Sequence, residues 1–324
     1  MSTATDQHTK TMRAMISPEL GPPSVLAEAT ITRPTAGPTE ILVKVHASGT
    51  NPVDWGSRVG GAFGLWDDPM IIGWDVSGVV EEVGFGSSLY QVGDEVFGMP
   101  RFPHQAGAYA EYVVAPSRHF APKPAELSHV EAAALPLVGL TAWQALMEVG
   151  RLEAGQRVLI HAAAGGLGHT AVQIAKATGA YVYGTASAGK HDFLRSIGVD
   201  EPIDYHAVDF SETLSGIDLV LDTIGGDYLV RSVKVVRDGG AVVSVKGSAA
   251  GIEDIAEEAG KRAIRVGMTL VEPDRLGLLK LVELVEAGKL RPHIAATFPL
   301  AEVAKAHELG EQGRTSGKIV LEVG

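Results

Sequence analysis

The chain has 324 residues, 45% of them hydrophobic, with 39 glycines and no cysteine. That length suffices for a large core divided between two domains, and the missing thiols exclude disulfides, thiolate zinc sites and a cysteine nucleophile. A formal charge of −12 without any Lys/Arg cluster argues against a nucleic-acid or anionic-membrane partner.

Residues 1–11 are polar and lack an apolar h-region, so they read as a disordered tail rather than a secretory signal. No apolar run is long enough to span a bilayer, and a cytoplasmic protein is expected. Residues 12–16 and 24–31 read as strands around the Gly21-Pro22-Pro23 turn. Residues 40–48 set Ile41, Val43 and Val45 against Glu40, Leu42 and Lys44, a strong strand pattern. Residues 49–55 form a polar loop or one-turn helix, 60–69 a loop, 71–83 a glycine-interrupted strand, and 93–98 and 108–114 two shorter ones. Short strands with glycine turns at roughly ten-residue spacing suggest a small β-barrel.

The pattern changes at Ser128, which with Glu131 makes a capping box. Helix is predicted over 130–135, with a break at Pro136 and renewal over 141–149. A strand over 157–162 then enters a glycine-rich turn, a helix that Gly179 stops, and a second strand over 181–185. Further strands are predicted at 201–204, 217–222, 240–245 and 265–270, and helices at 228–236 and 275–286. Phe298, Pro299 and Leu300 are expected to begin a last helix over 302–309, and 318–323 to be a closing strand that pairs back with the barrel. The result is an α/β protein with a doubly wound parallel sheet. Its expected domains are 1–127, 128–272 and a return to the first over 273–324.

Ala163, Ala164, Gly165, Gly166, Leu167 and Gly168 occupy the turn, between a strand and a helix inside a unit of about 30 residues, the context a dinucleotide fingerprint needs. Gly165 lets the backbone approach a pyrophosphate, and Gly168 lets helix pack on strand. The free amides and the helix dipole favour a phosphate. Ala163 stands where the first glycine of the fingerprint usually does. The alternative is a glycine turn without a ligand. NAD sites usually add an acidic residue about 20 residues on, yet no acid occurs between Gly168 and His191. Ser187 and Lys190 suit a 2′-phosphate and so point to NADPH. Otherwise Lys190 is merely exposed at a helix start.

The ordered segments GTNPVDW, GWDVSGVVEEVG, VGDEVFG, LPLVGLTAWQAL, AAAGGLGHTAVQIA and GRTSGKIVL resemble the medium-chain dehydrogenase/reductase superfamily. Within it they resemble the zinc-free, NADPH-dependent quinone oxidoreductase branch (zeta-crystallin-like), over almost the whole chain. The resemblance implies a GroES-like catalytic barrel and a Rossmann domain with NADPH in the cleft between them. It implies that Lys190 and Tyr205 hold the 2′-phosphate, that Ser187 adds a hydroxyl, and that Arg314, about one residue out of register, matches a phosphate-site arginine. It also places Thr141 under the nicotinamide. Thr223 and the segment of Val245 and Gly247 are expected near the cofactor at the carboxyl ends of their strands. Zinc-dependent relatives carry a cysteine where Asn51 stands, and their Gly-His-Glu appears as Gly73-Trp74-Asp75. No metal is expected on that ligand chemistry.

Hydride transfer needs position and electrostatics more than a side-chain nucleophile. Asn51 is the candidate donor to the acceptor's oxygen, or else a cap before Pro52. Asp54 is expected to orient that loop. Trp55, Phe63 and Trp66 are candidates for an aromatic acceptor pocket, against the alternative of barrel core. His161 and His169 are read as packing or surface residues. The expected activity is transfer of hydride from NADPH to a quinone or an α,β-unsaturated carbonyl. The alternatives are an ene-reductase for one pathway metabolite and a non-catalytic NADPH-binding structural or regulatory protein. Relatives suggest a homodimer through residues 265–271.

Overall fold

The computed structural model describes residues 10–246 and 252–324. The first lobe contains β1 (Thr11–Ile16), β2 (Ala27–Thr32), β3 (Glu40–Gly49), α1 (Pro52–Gly60), β4 (Val76–Val83), β5 (Glu95–Gly98), β6 (Tyr112–Pro116) and β7 (Phe120–Pro122). The second contains α2 (His129–Ala133), α3 (Pro136–Trp143), β8 (Arg157–Ile160), α4 (Gly166–Thr178), β9 (Tyr181–Ala186), α5 (His191–Ser196), β10 (Glu201–Asp204), α6 (Phe210–Thr213), β11 (Ile217–Asp222), α7 (Asp227–Val235), β12 (Val236–Ser244), α8 (Ile252–Lys261) and β13 (Arg265–Met268). The chain then adds α9 (Arg275–Glu286), β14 (Ile294–Pro299), α10 (Val303–Glu311) and β15 (Lys318–Glu322).

Six parallel strands lie in the order β10-β9-β8-β11-β12-β13. The order reverses between β8 and β11, the switch point at which open α/β sheets bind ligands beyond the carboxyl ends. Val158, Leu159 and Ile160 are fully buried, as strands covered on both faces by helices require. The other large sheet runs β14-β15-β3-β4-β5-β7, with β6 also on β3. β6 pairs with residues 40–44 of β3 and β15 with residues 47–49, so the long strand passes from one partner to the next and the sheet curves. Gly78 sits where β4 crosses β3, and a Cβ there would lie 2.0 Å from the Lys44 carbonyl oxygen. β15 does pair back with the first lobe, antiparallel to β3.

Several boundaries differ from expectation. Residues 294–299 form an edge strand rather than leading into the last helix. Their half-buried and exposed residues alternate, and Pro299 is tolerated because it ends an edge strand. The expected loop or one-turn helix after Asn51 is a helix of 9 residues, because the Asp54 carboxylate accepts from Asn51 N, Asp54 N donates to the Asn51 carbonyl, and Pro52 supplies a preset φ at the first position. Only 76–83 of the span 71–83 is strand, with Ile71 making a single bridge to Ile16. β1 begins at Thr11, inside the expected tail. Helices α6 and α8 are additional to the expected elements, and α5 starts at His191, beside the helix start considered at Lys190. Among the described residues no helix is long and apolar enough to cross a membrane.

Candidate active site

The glycine turn lies at the switch point and divides its labour much as its spacing suggests. Gly168 permits close packing, since a Cβ there would lie 2.3 Å from the Ala162 carbonyl oxygen and 2.6 Å from the Ala163 Cα. Gly165 has an open side, where a Cβ would meet only the Ala162 oxygen at 3.3 Å. Gly166 instead makes room for the C-terminal segment, because its Cβ would sit 3.0 Å from the Lys318 Cδ. α4 is 13 residues long and, among the described residues, has no side-chain cap at its N-terminus. Its first-turn amides and dipole therefore face outward beside Gly165, a cradle that fits a pyrophosphate.

The expected 2′-phosphate residues converge on one end of the sheet. Ser187 follows β9 and Tyr205 follows β10, and these strands pair with Asp204 opposite Ala186. Tyr205 is 44% exposed, and its ring lies at a tilt to that of the adjacent His206, with centroids 4.3 Å apart. Lys190 donates to the carbonyl oxygens of Arg314 at 2.8 Å and Thr315 at 3.3 Å, and burial lowers its pKa. Residue 314 thus reaches this site through its backbone, while the Arg314 side chain is exposed. Ala164 is buried and its carbonyl accepts from Gly317 N at 2.9 Å; Leu167 is half-buried on α4. Thr223 turns its hydroxyl to the His161 carbonyl at 2.9 Å, and Val245 N donates to the Asp222 carbonyl at 3.0 Å, both just beyond their strands. Gly247 lies outside the described residues. Thr141 is buried in α3 and donates to the Leu137 carbonyl at 2.6 Å, which ties its hydroxyl to its own helix.

Asn51 sits differently from its expected role as a donor to the acceptor. It is 1% exposed. Its amide donates to Asp75 Oδ2 at 2.8 Å and its carbonyl oxygen accepts from the Lys318 ammonium. A carboxamide so committed holds a loop. Asp54 is tied to that loop: its Oδ2 accepts from Asn51 N and from the Tyr109 hydroxyl, each at 2.7 Å. Among the described residues its Oδ1 has no hydrogen-bond partner. Burial pushes the Asp54 carboxyl up to about 7, against the lowering effect of the Tyr109 and Asn51 hydrogen bonds. Beyond Tyr109 a buried line of polar groups runs to the surface. The Tyr109 oxygen lies 3.2 Å from His307 Nε2, His307 Nδ1 lies 3.1 Å from Arg58 Nη1, and Arg58 pairs with Glu311. Since Tyr109 gives its proton to Asp54 and Arg58 can only donate, His307 must carry its hydrogen on Nε2. Burial and the neighbouring guanidinium hold His307 down to about 3, so it is neutral.

The aromatic candidates separate. Trp55 packs away against α10, 5.8 Å from His307 between ring centroids, with Gly310 leaving room for its ring. Phe63 and Trp66 do join one cluster, reaching Phe102 at 5.6 Å and Trp74 at 5.4 Å, and Trp74 and Phe102 are 5.2 Å apart. Phe63 is 43% exposed at its edge, and Gln105 N donates to the Leu65 carbonyl at 3.1 Å to join the two loops. His161 and His169 are both fully buried, and burial lowers each to about 4. His161 lies between Thr185 and Ser232, and His169 between the Gly165 carbonyl and His293 N.

Residues outside the expected set complete the network: Arg58, Tyr109, His307 and Lys318. Lys318 was legible only as a cation opening an apolar strand, a position that Arg157 and Arg265 share. His307 and Glu311 were legible only as a pair four residues apart on a helix, a spacing that carries no chemistry by itself.

Comparison with known proteins places this geometry. Residues 37–125 match the alcohol dehydrogenase GroES-like domain and residues 197–321 the zinc-binding dehydrogenase domain. A mitochondrial NAD(P)H oxidoreductase of Mus musculus is 34% identical, across 88% of this chain and 82% of its own. A 2-methylene-furan-3-one reductase of Solanum lycopersicum is 33% identical, across 96% of this chain and 79% of its own. The solved quinone oxidoreductase of Coxiella burnetii superposes with a TM-score of 0.90 at 38% identity, covering 97% of this chain and all of the other.

Proposed function

We propose that this chain, which belongs to the medium-chain dehydrogenase/reductase family in its quinone-oxidoreductase branch, reduces a quinone or an α,β-unsaturated carbonyl with NADPH and without zinc. The nicotinamide supplies the hydride when bound. The uncapped glycine turn carries the reading, since its open face and first-turn amides suit a pyrophosphate and little else. Preference for NADPH is supported by the acid-free end of β9 and by Lys190, held between two strands' ends by the 314 and 315 carbonyls. A carboxylate there would repel a 2′-phosphate; an ammonium attracts it.

Zinc independence is supported by the chemistry of the Asn51 cluster. The position of the ligand histidine is Trp74, whose indole donates to the His104 carbonyl at 2.8 Å from within the core. Asp75 is already paired with the buried ammonium of Lys318 at 3.1 Å. A second cation there would meet like charge and a neutral amide. The acceptor is placed against Phe63 and Trp66, which suit a flat conjugated molecule. The tomato relative's name favours enones as a second acceptor class.

In this reading the catalytic lobe comprises residues up to 127 and 273–324, joined through the β15–β3 pairing, and 128–272 form the nucleotide lobe. The protein works as a cytoplasmic homodimer joined through residues 265–271, where β13 leaves an open edge and Met268 and Leu270 are 40% and 51% exposed. The test is loss of NADPH absorbance with a simple quinone and with an enone, each repeated with NADH. Turnover with NADPH is expected. Tight NADPH binding without reduction of any such acceptor would make the protein a nucleotide-binding regulator instead.

A further inference from the structure

We infer that Lys318 is a positioning residue through which occupation of the nucleotide turn sets the geometry of the Asn51 loop. The inference rests on the reading that residues 164–168 hold a dinucleotide. Lys318 is 3% exposed. Its ammonium donates to the Thr50 carbonyl at 2.8 Å, to Asp75 Oδ2 at 3.1 Å and to the Asn51 side-chain oxygen. Those acceptors satisfy all the hydrogens an ammonium has, so both charge and geometry are fixed there.

The other end of the same residue rests on the nucleotide turn. The Lys318 Cδ lies against Gly166, at 3.0 Å from the place a Cβ would take. One residue earlier, Gly317 N donates to the Ala164 carbonyl at 2.9 Å. Gly317 has φ +79, and a Cβ there would lie 2.1 Å from the His293 carbonyl oxygen, so the segment cannot stand further off without breaking its own packing. Thr50 is clamped to β15 as well, through its amide at 3.0 Å and its hydroxyl at 3.1 Å, both to the Ile319 carbonyl.

Asp75 extends the linkage to a third element. Its Oδ1 accepts from Leu137 N at 2.6 Å in the first turn of α3, and Gly49 lacks a Cβ that would lie 2.7 Å from its Oδ2. The turn, the loop and α3 therefore meet on one buried ion pair. A buried pair of this kind is a weak source of stability, because desolvation offsets much of the attraction. It is a strong source of geometry, since neither charge can move without losing its partner. A phosphate settling on residues 164–168 moves the turn against the Lys318 stem, and the ammonium carries that displacement to Thr50 and Asn51.

The experiment is hydrogen–deuterium exchange on the full chain with and without NADPH, in wild type, Lys318→Arg and the charge-neutral pair Lys318→Met with Asp75→Asn. In wild type, NADPH should slow exchange both at 164–170 and at 51–60, the latter by at least about fivefold, the low end of ordinary site-to-site coupling. In the neutral pair the effect at 164–170 should persist with NADPH affinity within about threefold, while the effect at 51–60 falls below about twofold. Lys318→Arg, which keeps the charge, should recover a response at 51–60. A full response at 51–60 in the neutral pair overturns the inference. So does wild-type protection confined to the turn, a result that needs no variant to fold. Absence of any NADPH effect at 164–170 in wild type instead refutes the dinucleotide reading itself.

Discussion

Replacing Asp54 by asparagine should remove a pH dependence from the stability of the whole protein. In the fold the carboxyl ionises near 7 rather than at its ordinary 3.8, chiefly because it is buried. That gap is roughly three pH units, or about 4 kcal/mol at about 1.4 kcal/mol per unit. The folded chain keeps a proton that the unfolded chain releases above about pH 4, so stability from this group is fully present in acid. It is lost as pH rises toward 7 and constant above that. The carboxamide introduced by Asp54→Asn keeps an oxygen for the two donors now on Oδ2, Asn51 N and the Tyr109 hydroxyl, and places its amino group where Oδ1 lacks a partner. Denaturant melts of both proteins across this interval measure the effect. The stability of wild type minus that of Asp54→Asn should fall by about 1.4 kcal/mol per pH unit and then level. His161, His169 and His307 act in the opposite sense. Burial lowers all three, so their contribution is present above about 6.5 and lost as pH falls toward 4, or 3 for His307. They are common to both proteins and cancel in the difference. A flat difference from pH 4 to 7 refutes the argument.

Gly168→Ala should destabilise the protein by about 2 kcal/mol or more, since the new Cβ would meet backbone at 2.3 Å; melts read the loss, and NADPH affinity should weaken with it. Lys190→Asp should lower kcat/KM with NADPH by roughly 10- to 100-fold, the worth of a charge-assisted hydrogen bond, and leave NADH nearly unaffected; an unchanged ratio removes Lys190 from the site. Trp66→Ala should raise the acceptor KM about tenfold at unchanged NADPH affinity, the scale of one aromatic contact; unchanged acceptor kinetics would make Trp66 barrel core.

Much of the glycine turn's geometry was legible in the chain because its determinants are local. The strand, the glycine turn and the helix are contiguous, and backbone sterics plus first-turn amides decide what such a turn can hold whatever surrounds it. Gly168 shows this: its neighbours at 2.3 and 2.6 Å belong to Ala162 and Ala163, a few residues away. The last strand was legible for a similar reason, as an apolar run behind a glycine. The strand at 294–299 was not, because Phe298-Pro299-Leu300 reads as a helix start until β15 lies beside it.

The role of Asn51 was beyond the sequence. Whether a carboxamide meets a substrate or a buried charge depends on groups 24 and 267 residues away, Asp75 and Lys318. The same holds for Trp55, whose direction is set by Gly310 and His307, and for Arg58, Tyr109 and His307, which become a line only when α1 and α10 are packed together. The sequence by itself determined the fold class and the strand–glycine turn–helix unit, since these follow from periodicity and from backbone geometry within a few residues. Only the tertiary structure decided which polar groups share a dry interior, and there the cost of burying a charge leaves each one bound to whatever partner the packing brings.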